Sequence, residues 1–140
     1  MPVRERYTPK PIPARDYVPF TTAEEAWFWF IQAHTARLEG ARIVAGASGV
    51  ERPCEPLDIF RTMERLYRAR KLLIDHVMVL RHYGRRLLPP DPRQAKEMRA
   101  HGLWCEALEK MEEILVSKGI VTERPWFLKL EARDASGLQR

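Results

Sequence analysis

The side chains whose type and spacing best suit binding chemistry are the basic residues between positions 61 and 86. This segment holds eight bases against two acids, which gives a local net charge of +6. Arginine guanidinium groups donate paired hydrogen bonds to phosphate oxygens, and a helix lined with them can follow a nucleic-acid backbone. We therefore predict phosphate contacts from a set of seven residues: Arg61, Arg65, Arg68, Arg70, Lys71, Arg85 and Arg86.

A solvated helix face is the simpler interpretation of the same residues. Arg61, Arg65 and Arg68 share one side of a helix, and Glu64 is available there as an ion-pair partner. The net charge of +5 for the whole chain permits an anionic partner but identifies none. Two function classes therefore stay open: a nucleic-acid-binding regulatory protein, and a helical protein-interaction or assembly module with no nucleic-acid role.

A run of four aromatic residues provides the second candidate surface. Helical spacing puts part of this run on one face with later residues, and we expect that face in the core: Trp27, Phe30, Ile31, His34 and Leu38. The other two rings of the run, Phe28 and Trp29, point away from this face, which is typical of anchors for a protein partner. Four aromatic residues are therefore predicted to bind a partner: Phe28, Trp29, Tyr7 and Tyr17. Acids on the same helix argue against base stacking there.

Residues able to catalyse a reaction or bind a metal are few and poorly spaced. His101 and Cys105 are four apart, which puts both on one helix face, but no second close pair accompanies them. Cys54 and His34 could form a nucleophile and base, yet no third group is placed to orient the histidine. The hydrolase, zinc-protease, dinucleotide and phosphate-loop motifs do not occur. We predict a non-enzymatic protein with no metal, no cofactor and no small-molecule substrate.

Length and composition are those of a single globular domain. The chain has 140 residues, of which 45% are hydrophobic and 31% charged, enough to bury a core.

Charges interrupt every apolar stretch before it reaches the roughly 18 residues that a transmembrane helix requires. The basic N-terminus precedes no apolar segment, so no secretory signal is expected. Two cysteines outside any CxxC pair favour a reducing compartment, and we predict a cytoplasmic location with no membrane partner.

Helix signals and chain breakers divide the first part of the chain. Residues 1–20 contain five prolines, which favour an extended arm. Thr22 and Glu25 form a capping box that should begin a helix. Residues 57–83 contain neither glycine nor proline, so they are compatible with one long helix or with two helices broken near residues 69–71.

The region after residue 88 should be helical again. Asp91 and Pro92 favour a helix that begins near Arg93, and Gly102 either ends it or weakens a longer one. The last three helical segments have the outline of a helix-turn-helix. The third segment, residues 103–118, holds four acids against two bases, which opposes contact with phosphates.

The predicted fold is all-α: a compact bundle of four to five helices around a long central helix at 57–83. The expected boundaries are an extended proline-rich arm at 1–20, a single helical domain at 21–130 and a frayed tail at 131–140. The second half of the long helix is apolar on nearly every side, as in helices buried at two-fold interfaces. We therefore predict a homodimer.

Overall fold

The structure is a computed structural model that describes residues 17–40 and 50–123. This part contains four α-helices: α1 Ala23–Leu38, α2 Pro56–Arg68, α3 Ile74–Arg86 and α4 Met98–Ser117. A short 3-10 turn at Ala95–Glu97 leads into α4. The all-α class is confirmed. The arm up to residue 16, with Tyr7, the connector at 41–49 and the predicted tail at 131–140 lie outside the described residues.

Residues 17–20 are the described end of the predicted N-terminal arm, and they are attached to the segment that follows α4. Phe20 is fully buried, its N–H donates to the Ile120 carbonyl at 2.9 Å, and its own carbonyl accepts the Thr122 N–H at 2.9 Å. The Arg52 guanidinium lies 4.3 Å from the centre of the Phe20 ring and donates to the Val18 carbonyl. These contacts fix the chain where it enters α1.

The long central helix predicted at 57–83 is wrong, because the chain forms two helices there. Arg70 adopts a left-handed backbone with φ of 64°, which ends α2. Its N–H donates to the Tyr67 carbonyl, and the Lys71 N–H donates to the Leu66 carbonyl. This pair of bonds is a Schellman motif, which satisfies carbonyls at a helix end. The break therefore lies where the two-helix alternative put it.

The expected helix start near Arg93 is also wrong. The Asp91 carboxylate accepts the Arg93 N–H at 2.9 Å, and this local turn replaces a helix cap. Helix α4 begins only at Met98 and continues through Gly102. Because no turn forms at Gly102, the helix-turn-helix outline is absent from the structure.

Apolar faces of all four helices meet in one core. Each helix contributes a residue with no exposed surface: Ala26, Ile59, Leu80 and Met111. The prediction that one face of α1 lies in the core is confirmed for Trp27, Phe30 and Ile31, which are 2%, 6% and 9% exposed. It is wrong for His34 and Leu38, which lie in the last two turns of α1 and are exposed.

The capping box predicted at the start of α1 is half formed. The Thr22 side chain accepts the Glu25 N–H at 3.1 Å. The Glu25 carboxylate, however, accepts the N–H of Thr21 rather than that of Thr22. Gly119 ends α4 with φ of 77°, and the following Ile120 is buried.

Candidate nucleic-acid interface

Helix α2 exposes a row of three arginines, which we call the α2 row: Arg61, Arg65 and Arg68. Proline is favoured at the first position of this helix, because the N–H group of a first residue has no hydrogen-bond acceptor within the helix. The opposite side of α2 is buried and contains Ile59, Thr62, Met63 and Leu66. Burial of this apolar side therefore turns the arginines toward solvent.

Two members of the α2 row form ion pairs within their own helix. Arg61 lies 3.7 Å from Asp58, and Arg68 lies 3.1 Å from Glu64. Exposed pairs of this kind contribute at most about 1 kcal/mol, so a phosphate can replace the carboxylate partner. Arg65 is exposed and forms no ion pair with any residue in the described ranges.

The turn that ends α2 presents two further cations, Arg70 and Lys71, which we call the link cations. Both are exposed, and neither side chain has an acidic partner in the part of the chain that the structure describes. Their backbone is fixed by the Schellman motif, and the Lys71 carbonyl accepts a 3.0 Å hydrogen bond from Lys110 Nζ. The link cations therefore extend from an ordered turn.

Arg85 and Arg86 lie at the opposite end of α3 from the link cations. The rise of an α-helix puts Arg85 about 16 Å along the axis from Ile74. The structure therefore separates the seven predicted residues into a group of five on α2 and its turn, and a pair at the end of α3. Sequence reasoning left Arg81 out of the predicted set, although it is exposed and lies one helical turn before Arg85.

Arg86 is less suited to binding phosphate than the other predicted cations. Its guanidinium lies 5.8 Å from the centre of the Tyr83 ring. Both residues line a small pocket together with Asp91 and Glu97. Because two carboxylates line the same pocket, its charge does not favour an anion.

Helix α4 is weakly acidic on its exposed side, where glutamates outnumber the two exposed bases, Arg99 and Lys110. Three glutamates lie there at helical spacing: Glu106, Glu109 and Glu113. These side chains would repel a phosphate backbone. A nucleic acid is therefore expected on α2 and its turn rather than on α4.

The four residues predicted to bind a partner have different surroundings. The Phe28 ring lies 5.6 Å from that of Trp104, and the Trp29 ring lies 5.1 Å from that of Phe20. Both are half-buried, so the chain itself covers part of each ring. Tyr17 is 40% exposed. The partner role of these residues stays a prediction.

The thiols and histidines considered for catalysis are not assembled into a site. Burial, with smaller contributions from Asp58 and Glu55, raises the pKa of Cys54 to about 12. The His34 ring instead stacks on Phe30, with the ring centres 5.6 Å apart. His101 Nε2 lies 3.5 Å from Cys105 Sγ, but the described residues contain no group of three side chains that could hold a metal ion.

The chain matches no protein-family model, and no curated protein and no solved structure matches it significantly. Among the described helices, none is long and apolar enough to cross a membrane.

Proposed function

We propose that this chain is a small, non-enzymatic cytoplasmic protein, folded as a compact helical bundle, that binds nucleic-acid phosphates. The α2 row and the link cations form the main contact surface. Arg85, with Arg81 beside it, forms a secondary contact at the end of α3. Affinity from such contacts comes mainly from release of counterions, so it is expected to depend strongly on salt and weakly on base sequence.

The proposal rests on three exposed cations: Arg65, Arg70 and Lys71. None of them is paired with an acid in the described ranges. Two extend from a turn whose backbone N–H groups are already hydrogen-bonded. Binding a phosphate would therefore require little reordering of the backbone, which lowers the entropic cost of association.

Arg70 gives a second reason. It occupies the left-handed position after a helix, where glycine is favoured because it has no Cβ. A non-glycine residue in this conformation costs roughly 1–2 kcal/mol. A positive charge near the C-terminal carbonyl groups of α2 stabilises the helix by about 0.3–1 kcal/mol, which offsets part of this cost. Contact of the Arg70 guanidinium with a phosphate would offset more of this cost.

A binding assay at low salt tests the proposal. We expect a labelled DNA duplex and a labelled RNA hairpin to be retained with the protein on a filter, with retention lost as salt is raised. Arg65→Gln combined with Lys71→Gln should weaken retention of both probes. Arg93→Gln is the matched control, because Arg93 is exposed but paired with Asp91 outside the proposed surface. Absence of retention for both probes at low salt would overturn the proposal.

A further inference from the structure

A small pocket lies where the C-terminal end of α3 meets the connection to α4. Its volume is about 210 Å³. Pockets that hold drug-sized ligands measure roughly 300–1,000 Å³, so this one suits a ligand no larger than a single ring system. Side chains of six residues line it: Tyr83, Arg86, Leu88, Asp91, Gln94 and Glu97.

The polar side of the pocket has an ordered backbone. The Gln94 N–H donates to the Asp91 carbonyl at 3.1 Å, and the Glu97 N–H donates to the Gln94 carbonyl at 2.9 Å. The Glu97 carboxylate completes this set, because its Oε1 accepts the Asp91 N–H at 2.8 Å. A ligand would therefore meet side chains that are already positioned, which lowers the entropic cost of binding.

Two polar groups in the pocket are available to a ligand. Glu97 is half-buried, and its Oε2 forms no hydrogen bond or ion pair within the described residues. The side-chain amide of Gln94 has no hydrogen-bond partner in the same ranges. A half-buried carboxylate oxygen favours a ligand that donates a hydrogen bond, because the bond replaces lost contact with water.

The charges around the pocket cancel in pairs. Asp91 is paired with Arg93, whose Nε lies 3.2 Å from Asp91 Oδ1. The other carboxylate, that of Glu97, shares the pocket with the Arg86 guanidinium. A cationic ligand would be repelled by Arg86, and an anionic one by Glu97. A neutral ligand with hydrogen-bond donors therefore fits this lining better than an ion.

Planar groups in the lining add a preference for a flat ligand. The Tyr83 ring and the Arg86 guanidinium both line the pocket, and the guanidinium carbon lies 5.8 Å from the ring centre. Nucleobases stack on aromatic rings and on guanidinium planes. A nucleobase is flat, uncharged and the size of one ring system, so it meets all three requirements of this pocket.

The hydrogen-bonding edge distinguishes one base from the others. Only guanine has two adjacent donors, its N1–H and its N2 amino group, on the Watson–Crick edge. A carboxylate accepts both, and the neighbouring O6 of guanine accepts from an amide such as that of Gln94. Adenine, cytosine and uracil each have an acceptor beside their donor, and this acceptor would face the negative charge of Glu97.

We propose that this pocket binds the base of an unpaired guanine, with Glu97 accepting from N1–H and N2 and Gln94 donating to O6. The base stacks against Tyr83 and Arg86, while its ribose and phosphate stay outside. A paired guanine is excluded, because its cytosine occupies the same edge. The ligand is therefore a guanine in a single strand or a free guanine nucleotide. The strand form rests on the phosphate contacts proposed above and adds recognition of one base to them.

Calorimetric titration of the full chain with GMP, AMP, CMP and UMP tests base recognition without a strand. We expect GMP to bind about tenfold more tightly than the other three, as for one well-formed pair of hydrogen bonds to a base. Glu97→Gln should remove this preference, because its amide oxygen keeps the bond to the Asp91 N–H while an NH2 group replaces Oε2. Glu113→Gln, an exposed change on α4 outside the pocket, is the matched control. Equal binding of the four nucleotides, or a preference that Glu97→Gln leaves unchanged, would overturn the proposal.

Two labelled strands identify the source of the guanine. A short uridine strand with one central guanosine is compared with the same strand carrying adenosine, by fluorescence anisotropy. Tighter binding of the guanosine strand than of GMP identifies a single strand as the ligand, and equal binding identifies the free nucleotide. A preference for neither GMP nor the guanosine strand would refute the guanine site.

The guanine site and the phosphate surface can fail separately. Glu97→Gln should leave filter retention of duplex DNA unchanged, because a duplex does not use the pocket. Arg65→Gln combined with Lys71→Gln should leave the preference for GMP over AMP unchanged, because both cations lie on α2 and its turn. Loss of duplex retention in Glu97→Gln would contradict the assignment of the pocket to unpaired guanine.

Discussion

Trp27 Nε1 donates a 2.9 Å hydrogen bond to the carbonyl of Leu80, which joins α1 to α3 inside the core. Gly84 permits this approach, since a Cβ added there would lie 2.7 Å from Trp27 Nε1 and 3.1 Å from Ile31 Cγ1. We predict that Gly84→Ala lowers the free energy of unfolding by about 1–3 kcal/mol, because the indole must move. Urea denaturation measures the change.

Gly102→Ala is the matched control for that substitution. Gly102 lies inside α4, and nothing lies within 4 Å of an added Cβ. Alanine should therefore raise the free energy of unfolding by roughly 0.5–1 kcal/mol, the usual difference between glycine and alanine in a helix. If both substitutions changed stability in the same direction, the close α1–α3 contact would be refuted.

Glycine should stabilise the protein at two positions with left-handed backbone. Arg70 and Leu87 have φ of 64° and 54°. Replacing either one by glycine relieves the contact between Cβ and backbone, and we expect a gain of about 1 kcal/mol in each case. Ala69→Gly, next to Arg70 but at an ordinary φ of −82°, should instead destabilise slightly. Thermal unfolding of the three variants distinguishes these results.

His76 connects the start of α3 to α4 through both ring nitrogens. Its Nδ1 accepts the Leu73 N–H at 3.0 Å, so the ring proton lies on Nε2, which is 2.8 Å from Glu106 Oε1. We predict that His76→Phe destabilises by about 1–3 kcal/mol, because the Leu73 N–H loses its acceptor. Glu106→Gln should change stability by less than about 1 kcal/mol, because its amide oxygen still accepts. Equal effects in urea denaturation would contradict this assignment.

The two cysteines should differ in reactivity toward alkylating reagents. Burial raises the pKa of Cys54 to about 12, so very little reactive thiolate is present at pH 7. Partial desolvation and the nearby Glu24, Glu109 and Glu106 also raise the pKa of Cys105. The Cys105 side chain is nevertheless exposed, so a reagent in solution can reach it. Mass spectrometry after iodoacetamide treatment should find slow labelling at Cys105, slower labelling at Cys54 and fast labelling of both in urea. Faster labelling of Cys54 than of Cys105 in the folded protein would contradict this order of reactivity.

Local signals in the sequence predicted local structure well. The Thr22 cap and the interior positions of Trp27 and Phe30 each depend on residues within a turn or two of one another. The all-α class follows from the same periodicity. The arginines of α2 were also predicted to share a side, because helical spacing alone determines this.

Other features could not be decided from the sequence. The break at Arg70 uses a left-handed residue other than glycine, so the composition could not distinguish one long helix from the two-helix alternative. Gly84 lies inside α3, where it is a contact point for Trp27, and no local pattern in the sequence indicates this contact. Ile74 and Met78 are exposed in the single chain, a detail that the apolar run could not give, because such a run does not reveal which side of a helix faces solvent.

The salt dependence of nucleic-acid binding measures how many phosphates the α2 row and the link cations contact. The double variant Arg65→Gln/Arg70→Gly removes two proposed phosphate contacts, while the glycine favours the fold. We expect the slope of log affinity against log salt to fall by roughly 2 in magnitude for duplex DNA. Arg37→Gln, an exposed change in the last turn of α1, should leave the slope unchanged. An unchanged slope for the double variant would show that Arg65 and Arg70 do not bind phosphate.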